Sequence, residues 1–93
     1  MNLDKSIYIE VIGVDPPCRL CHATWNNVQK AVSTVQSEGI EATMKRLDIT
    51  SRDVIRRYGP LVSPAIIVNG TVGIMGRVPD PNEIATLLRE TAK

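Results

Sequence analysis

The chain contains no phenylalanine, one tryptophan and two tyrosines, so an aromatic core is excluded. Ile, Val and Leu must carry the burial, which favours a Val/Ile-rich sheet covered by helices. Charge of one sign is equally scarce: eleven Lys and Arg stand against ten Asp and Glu, a formal net charge of +1. That balance leaves no broad basic footprint for nucleic acid. The densest basic cluster, Arg52, Arg56 and Arg57, falls on a predicted helix and reads as a solvated face. No apolar run approaches the ~18 residues a membrane span needs. The start, Met-Asn-Leu-Asp-Lys-Ser before residues 7 to 12, is too short and too charged for a secretory leader. A cytoplasmic address is the expectation. Cysteine is limited to Cys18 and Cys21; in a reducing compartment such a pair is expected to be catalytic, redox-sensing or metal-binding and not a permanent staple.

What is present is ordered by periodicity. At 93 residues, with 43% apolar and 23% charged positions and no low-complexity stretch, one domain over residues 1–93 is expected. Residues 7 to 12 form a β-branched strand, bounded by Gly13 and the turn-forming Asp15-Pro16-Pro17. From Cys18 the apolar positions Cys21, Trp25, Val28, Val32 and Val35 recur at helical spacing, and Gly39 closes that helix. A second strand is expected over residues 42 to 48. Thr50 or Ser51 then caps a short helix with Val54 and Ile55 facing inward and Gly59-Pro60 stopping it. The segments 65 to 68 and 71 to 75, joined by Asn69-Gly70, spell a β-hairpin with a type I′ turn. A last helix over residues 80 to 92 has Asp80 as cap, Pro81 at its first position and Glu83 at its third. The order βαβαββα implies an α/β fold, with a four-stranded mixed sheet flanked by three helices.

The cysteine spacing carries the chemistry. Residues i and i+3 of a helix have Cα atoms about 5 Å apart, within the ~4.4 to 6.8 Å that a disulfide tolerates. A four-residue loop yields only ~1.9 kcal/mol of chain-entropy stabilisation against ~4.7 for a 100-residue loop, so the bridge would be a poor staple. Reversible exchange explains the spacing better. Cys18, at the start of the helix and beside Arg19, is the candidate nucleophile, favoured as a thiolate by the helix N-terminus. Cys21, one turn further along the apolar stripe, is expected to be buried, to keep an ordinary thiol pKa and to act as the resolving cysteine.

Beyond Cys18-Arg19-Leu20-Cys21, the stretch Arg57-Tyr58-Gly59-Pro60-Leu61-Val62-Ser63-Pro64, the hairpin around Asn69-Gly70 and Gly76 complete a pattern. It resembles the thioredoxin superfamily, most closely its small glutaredoxin-sized, redox-active-disulfide members. The resemblance implies a minimal thioredoxin fold and protein disulfide reduction through a Cys18–Cys21 dithiol cycle. Electrons would come from a reductase or a low-molecular-weight thiol, with no further cofactor and no metal. Pro64 matches the family's cis-proline, so the backbone of Val62 and Ser63 is expected to receive an extended substrate segment. Pro17 and Arg19 are added as substrate-binding candidates, and disulfide-containing proteins are the expected partners of a monomer. Two departures stand out. The family's aromatic residue and Gly-Pro are replaced by Pro17 and Arg19-Leu20, and its buried acid falls near Ile12, leaving Asp15, Glu10 or water as substitutes.

Two rival readings use the same residues. Cys18-Arg19-Leu20-Cys21-His22 also fits c-type haem attachment, with His22 and Met44 or Met75 as axial ligands. Cys18, Cys21 and His22 also suit a metallochaperone or soft-metal sensor. Trp25, Met75 and Tyr58 read as core residues, and Arg77 as a weak candidate for steering an acidic or glutathione-like substrate.

Overall fold

A computed structural model of the chain describes residues 6–14 and 18–92. Seven elements follow one another: β1 (Ile7–Gly13), α1 (Arg19–Ser37), β2 (Ala42–Asp48), α2 (Arg52–Tyr58), β3 (Ala65–Val68), β4 (Thr71–Met75) and α3 (Pro81–Thr91). The sheet order is β2-β1-β3-β4. β1 runs parallel to β2, with Ile7 opposite Ala42 and Gly13 opposite Asp48, and antiparallel to β3, with Ile12 opposite Ala65. This is the expected minimal thioredoxin fold.

Strand alternation divides the aliphatic side chains between two faces. Ile7, Ile9, Val11, Ile66 and Val68 pack with Val28, Ala31, Val32 and Val35 of α1 and Ile84, Ala85 and Leu88 of α3. On the opposite face Ile12, Ala65 and Ile67 meet Val54 of α2. All four residues of β3 are buried, as a central strand covered on both faces requires. Each fully buried Ile, Val or Leu contributes roughly 1.5 to 3 kcal/mol of transfer free energy. Trp25 lies half-buried against the larger cluster, with the Arg46 guanidinium 4.9 Å from its ring centroid.

The helix ends follow the sequence signals. Gly39, at φ 87°, ends α1: its N–H donates to the Gln36 carbonyl, and that of Ile40 to the Val35 carbonyl. This is the Schellman arrangement that only a residue tolerant of positive φ completes. Asp80 caps α3 by accepting from the N–H groups of Asn82 and Glu83. Glu83 does not reach back to close a capping box; it pairs with Arg77. Asn69 and Gly70 both have positive φ, 49° and 84°, as the type I′ turn demands. The short α2 departs from the reading of the sequence. Val54 is buried, but Ile55 is 50% exposed, because this seven-residue helix meets Ile12, Ala65 and Ile67 of the two central strands through Val54, and the next position along the helix is turned away. No helix is long and apolar enough to cross a membrane among the described residues.

Candidate active site

Four segments converge at one end of the sheet. β1 ends at Gly13, α1 begins after Cys18, and because β3 is antiparallel to β1 its first residue, Ala65, lies beside Ile12. Ser63 and Pro64, immediately before β3, therefore arrive at the end of β1 that faces the helix start. The Ser63–Pro64 peptide is cis. The end of β4 closes the arrangement, with the Gly76 N–H donating to the Pro64 carbonyl at 2.9 Å.

Cys18 is the N-cap of α1, one position outside the helix proper, and its Sγ accepts from the Cys21 N–H at 3.3 Å. A sulfur in the cap position stands where a serine or aspartate oxygen usually satisfies the first unpaired amides, and where the helix dipole favours negative charge. Both cysteines are free thiols, Cys18 exposed and Cys21 buried. Their Sγ atoms are 2.8 Å apart, longer than the roughly 2.05 Å of a disulfide bond.

Cys21 occupies a slot built by three neighbours. A Cβ at Gly13 would lie only 2.9 Å from its Sγ, so the absence of a side chain there is what lets the sulfur sit against β1. The Ser63 hydroxyl lies 3.7 Å from the same sulfur, and the Val14 backbone also hydrogen-bonds to it. Burial pushes the thiol up. The hydrogen bonds with Cys18, Val14 and Ser63 outweigh that and bring it down from 9.0 to about 7. The expectation of an ordinary thiol pKa at Cys21 is thereby corrected, because the sequence does not reveal how many donors converge on a buried sulfur.

The other anticipated residues are distributed as follows. Arg19 is exposed at the first position of α1, Val62 is exposed at 58%, Ser63 is half-buried and Pro64 buried. Pro17 and Asp15 lie outside the described residues. His22 is exposed on α1, Met44 packs against the larger core cluster and Met75 is exposed on β4. No group of three or more His, Cys, Asp and Glu side chains clusters at metal-binding spacing among the described residues. Arg77, the candidate for steering an acidic substrate, pairs through both terminal nitrogens with Glu83 in the first turn of α3.

Glu10 is the feature the sequence hid most effectively. It is 2% exposed in the middle of β1, on the α2 side of the sheet, where it accepts from the Tyr58 hydroxyl and from Arg57. Arg57 accordingly does not share the purely solvated face anticipated for the three arginines; it spans from Asp53 on its own helix to Glu10 in the sheet. Glu10 is directed at α2 and is not among the hydrogen-bond partners of Cys21.

Gly13 and the Ser63 side chain were the site features the sequence reading missed. A glycine at the end of an otherwise β-branched strand was the available signal for the first, since glycine there marks a close approach. Nothing local signals the second.

Comparison with known proteins agrees with this architecture. No curated protein sequence matches the chain. Among solved structures, human ERp44 superposes with a TM-score of 0.68 at 17% identity over 94% of this chain, which spans 28% of the ERp44 chain. At that identity the likeness is one of fold. A family model described as a thioredoxin domain matches residues 7–89, from the first strand nearly to the end of α3, and the chain belongs to that family.

Proposed function

We propose that the protein is a thiol–disulfide oxidoreductase that reduces protein disulfides through a Cys18–Cys21 dithiol cycle. The observation that carries this reading is the pairing of an exposed cap cysteine with a buried one 2.8 Å away whose thiol is lowered to about 7. An accessible sulfur can attack, and a sheltered sulfur in contact with it can finish the exchange.

The Cys18 thiolate attacks one sulfur of a substrate disulfide, and the other substrate sulfur leaves as a thiolate that takes up a proton. The resulting mixed disulfide is then attacked at Cys18 Sγ by the Cys21 thiolate. The Cys18–Cys21 bond forms, the second substrate thiol is released, and two electrons have passed from the dithiol to the substrate. A reductase or a low-molecular-weight thiol restores the dithiol, and no other cofactor is needed. Arg19 and the Val62–Ser63–Pro64 segment form the substrate-binding rim, with the exposed side chains of Leu20 and Val62 supplying apolar contact, and Pro17 remains a substrate-binding candidate on the sequence alone. On this reading residues 1–93 act as one monomeric thioredoxin-like domain in the cytoplasm.

A trapping experiment tests the proposal. Cys21→Ser should accumulate mixed disulfides through Cys18, which mass spectrometry identifies, while Cys18→Ser should not; equal trapping by both would reverse or abolish the assigned roles. Wild-type protein that fails to accelerate insulin reduction by dithiothreitol would leave the alternative use of the dithiol, soft-metal carriage. That alternative predicts stoichiometric metal in the purified protein and needs ligands beyond the two sulfurs.

A further inference from the structure

We infer that the Ser63 hydroxyl is a hydrogen-bond donor to the resolving sulfur, holding Cys21 for its attack on the mixed disulfide at Cys18; this rests on the dithiol cycle proposed above. The inference concerns the side chain of Ser63, whose backbone alone figures in substrate docking. The hydroxyl stands 3.7 Å from Cys21 Sγ across 42 residues of sequence, brought there by the antiparallel pairing of β3 with β1.

In the reduced protein Cys21 Sγ has two further partners, the Cys18 sulfur at 2.8 Å and the Val14 backbone. The first of these changes character during catalysis. Once Cys18 Sγ is bonded to a substrate sulfur it carries neither a proton to donate nor a negative charge with which to share one. The Cys21 thiolate is then left with Val14 and Ser63. Water cannot readily replace them, because Cys21 is 7% exposed and packed against Gly13. The hydroxyl therefore acts in the resolving step, when the negative charge sits on the buried sulfur. It acts much less in the first attack, when the charge is on exposed Cys18. Of the described groups that face Cys21 Sγ, namely Cys18 on α1, Gly13 and Val14 on β1 and its end, and Ser63 on the following loop, only Cys18 titrates.

The two steps separate with an equimolar nitro-aromatic disulfide that releases one coloured thiolate when Cys18 attacks and a second when Cys21 resolves. Ser63→Ala should slow the second release roughly tenfold near neutral pH and the first release far less, as loss of a hydrogen bond to the charged resolving sulfur implies. The pH midpoint of the second release should move up by about one unit. Ser63→Thr, which keeps a hydroxyl, should restore both. A second release in Ser63→Ala with wild-type rate and pH profile overturns the role of Ser63, as does a Ser63→Thr variant as slow as the alanine one. A wild-type protein with no second release instead overturns the dithiol cycle itself.

Discussion

Cys21 Sγ lies 2.8 Å from Cys18 Sγ inside a slot that leaves it 7% exposed, and its thiol is nonetheless lowered from 9.0 to about 7. Burial alone would have raised it, so the hydrogen bonds win. A group whose pKa is depressed on folding stabilises the native state fully above its unfolded pKa, and that contribution is lost as pH falls through the folded value. For the reduced protein the window runs from about 9 down to about 7. The urea midpoint of reduced wild type should therefore rise relative to Cys21→Ser as pH increases across that window. A difference between the two that stays constant with pH would remove the basis for a lowered Cys21 thiol.

Gly13→Ala inverts the usual sign of a glycine replacement. Where the backbone permits, exchanging glycine for alanine stabilises by about 0.4 to 1 kcal/mol through the unfolded chain. Here the new methyl would stand 2.9 Å from Cys21 Sγ and 3.3 Å from its Cβ, and the start of α1 or the end of β1 must yield. The expected cost is about 1 to 3 kcal/mol, read from denaturant unfolding, together with slower air oxidation of the dithiol. A neutral or stabilising Gly13→Ala would mean that the slot has slack.

Asn69 does more than tolerate its turn. Its side-chain Oδ1 accepts from the Tyr8 N–H and its own N–H donates to the Tyr8 carbonyl, both at 2.8 Å, tying the hairpin to the start of β1. Asn69→Ala loses the side-chain acceptor and strains a residue at φ 49°, at a cost of about 1 to 2 kcal/mol. Asn69→Asp keeps the acceptor and should lie within about 0.5 kcal/mol of wild type. Thermal or urea unfolding of the two variants decides it; equal losses would make the Tyr8 contact irrelevant.

The contrast between Asn69-Gly70 and Glu10 explains what was legible in the sequence. The turn type, the Gly39 stop, the Asp80 cap and the two cysteines one helical turn apart are all local patterns, set by backbone conformation over two to five residues. Periodicity likewise assigns Ile7, Ile9, Val28, Val35, Ile84 and Leu88 to the core because transfer free energy is non-directional. The side-chain contacts that tie distant segments together join residues 42 to 61 positions apart, and of these only Ser63 with Cys21 lies at the site; the sheet order decides which meet. What Glu10 meets is decided only when α2 is laid over that face of the sheet with Tyr58 and Arg57. Ile55 is the same problem in reverse, since how much of a short helix is covered depends on its placement over the sheet.

The last expectation concerns that buried carboxylate. Glu10 is 2% exposed and accepts from the Tyr58 hydroxyl. That hydrogen bond is also the chief reason the phenol is held above its ordinary value of 10.0. Because the folded pKa is the raised one, the phenol's contribution is fully present below 10 and is lost as pH climbs through the elevated value. Tyr58→Phe leaves Glu10 with Arg57 at 3.3 Å, whose side chain is 42% exposed and shares itself with Asp53. The expected loss is about 1 to 3 kcal/mol, the cost of an under-satisfied buried acceptor. Arg57→Ala should cost less, since an exposed ion pair is screened by water. Glu10→Leu removes the carboxylate but strands the half-buried phenol, while Glu10→Leu combined with Tyr58→Phe removes both partners and should cost less than the two single losses added together. A urea double-mutant cycle should therefore return a coupling of about 1 kcal/mol or more between positions 10 and 58. Strict additivity would show that the Tyr58–Glu10 hydrogen bond adds nothing to the joining of β1 and α2.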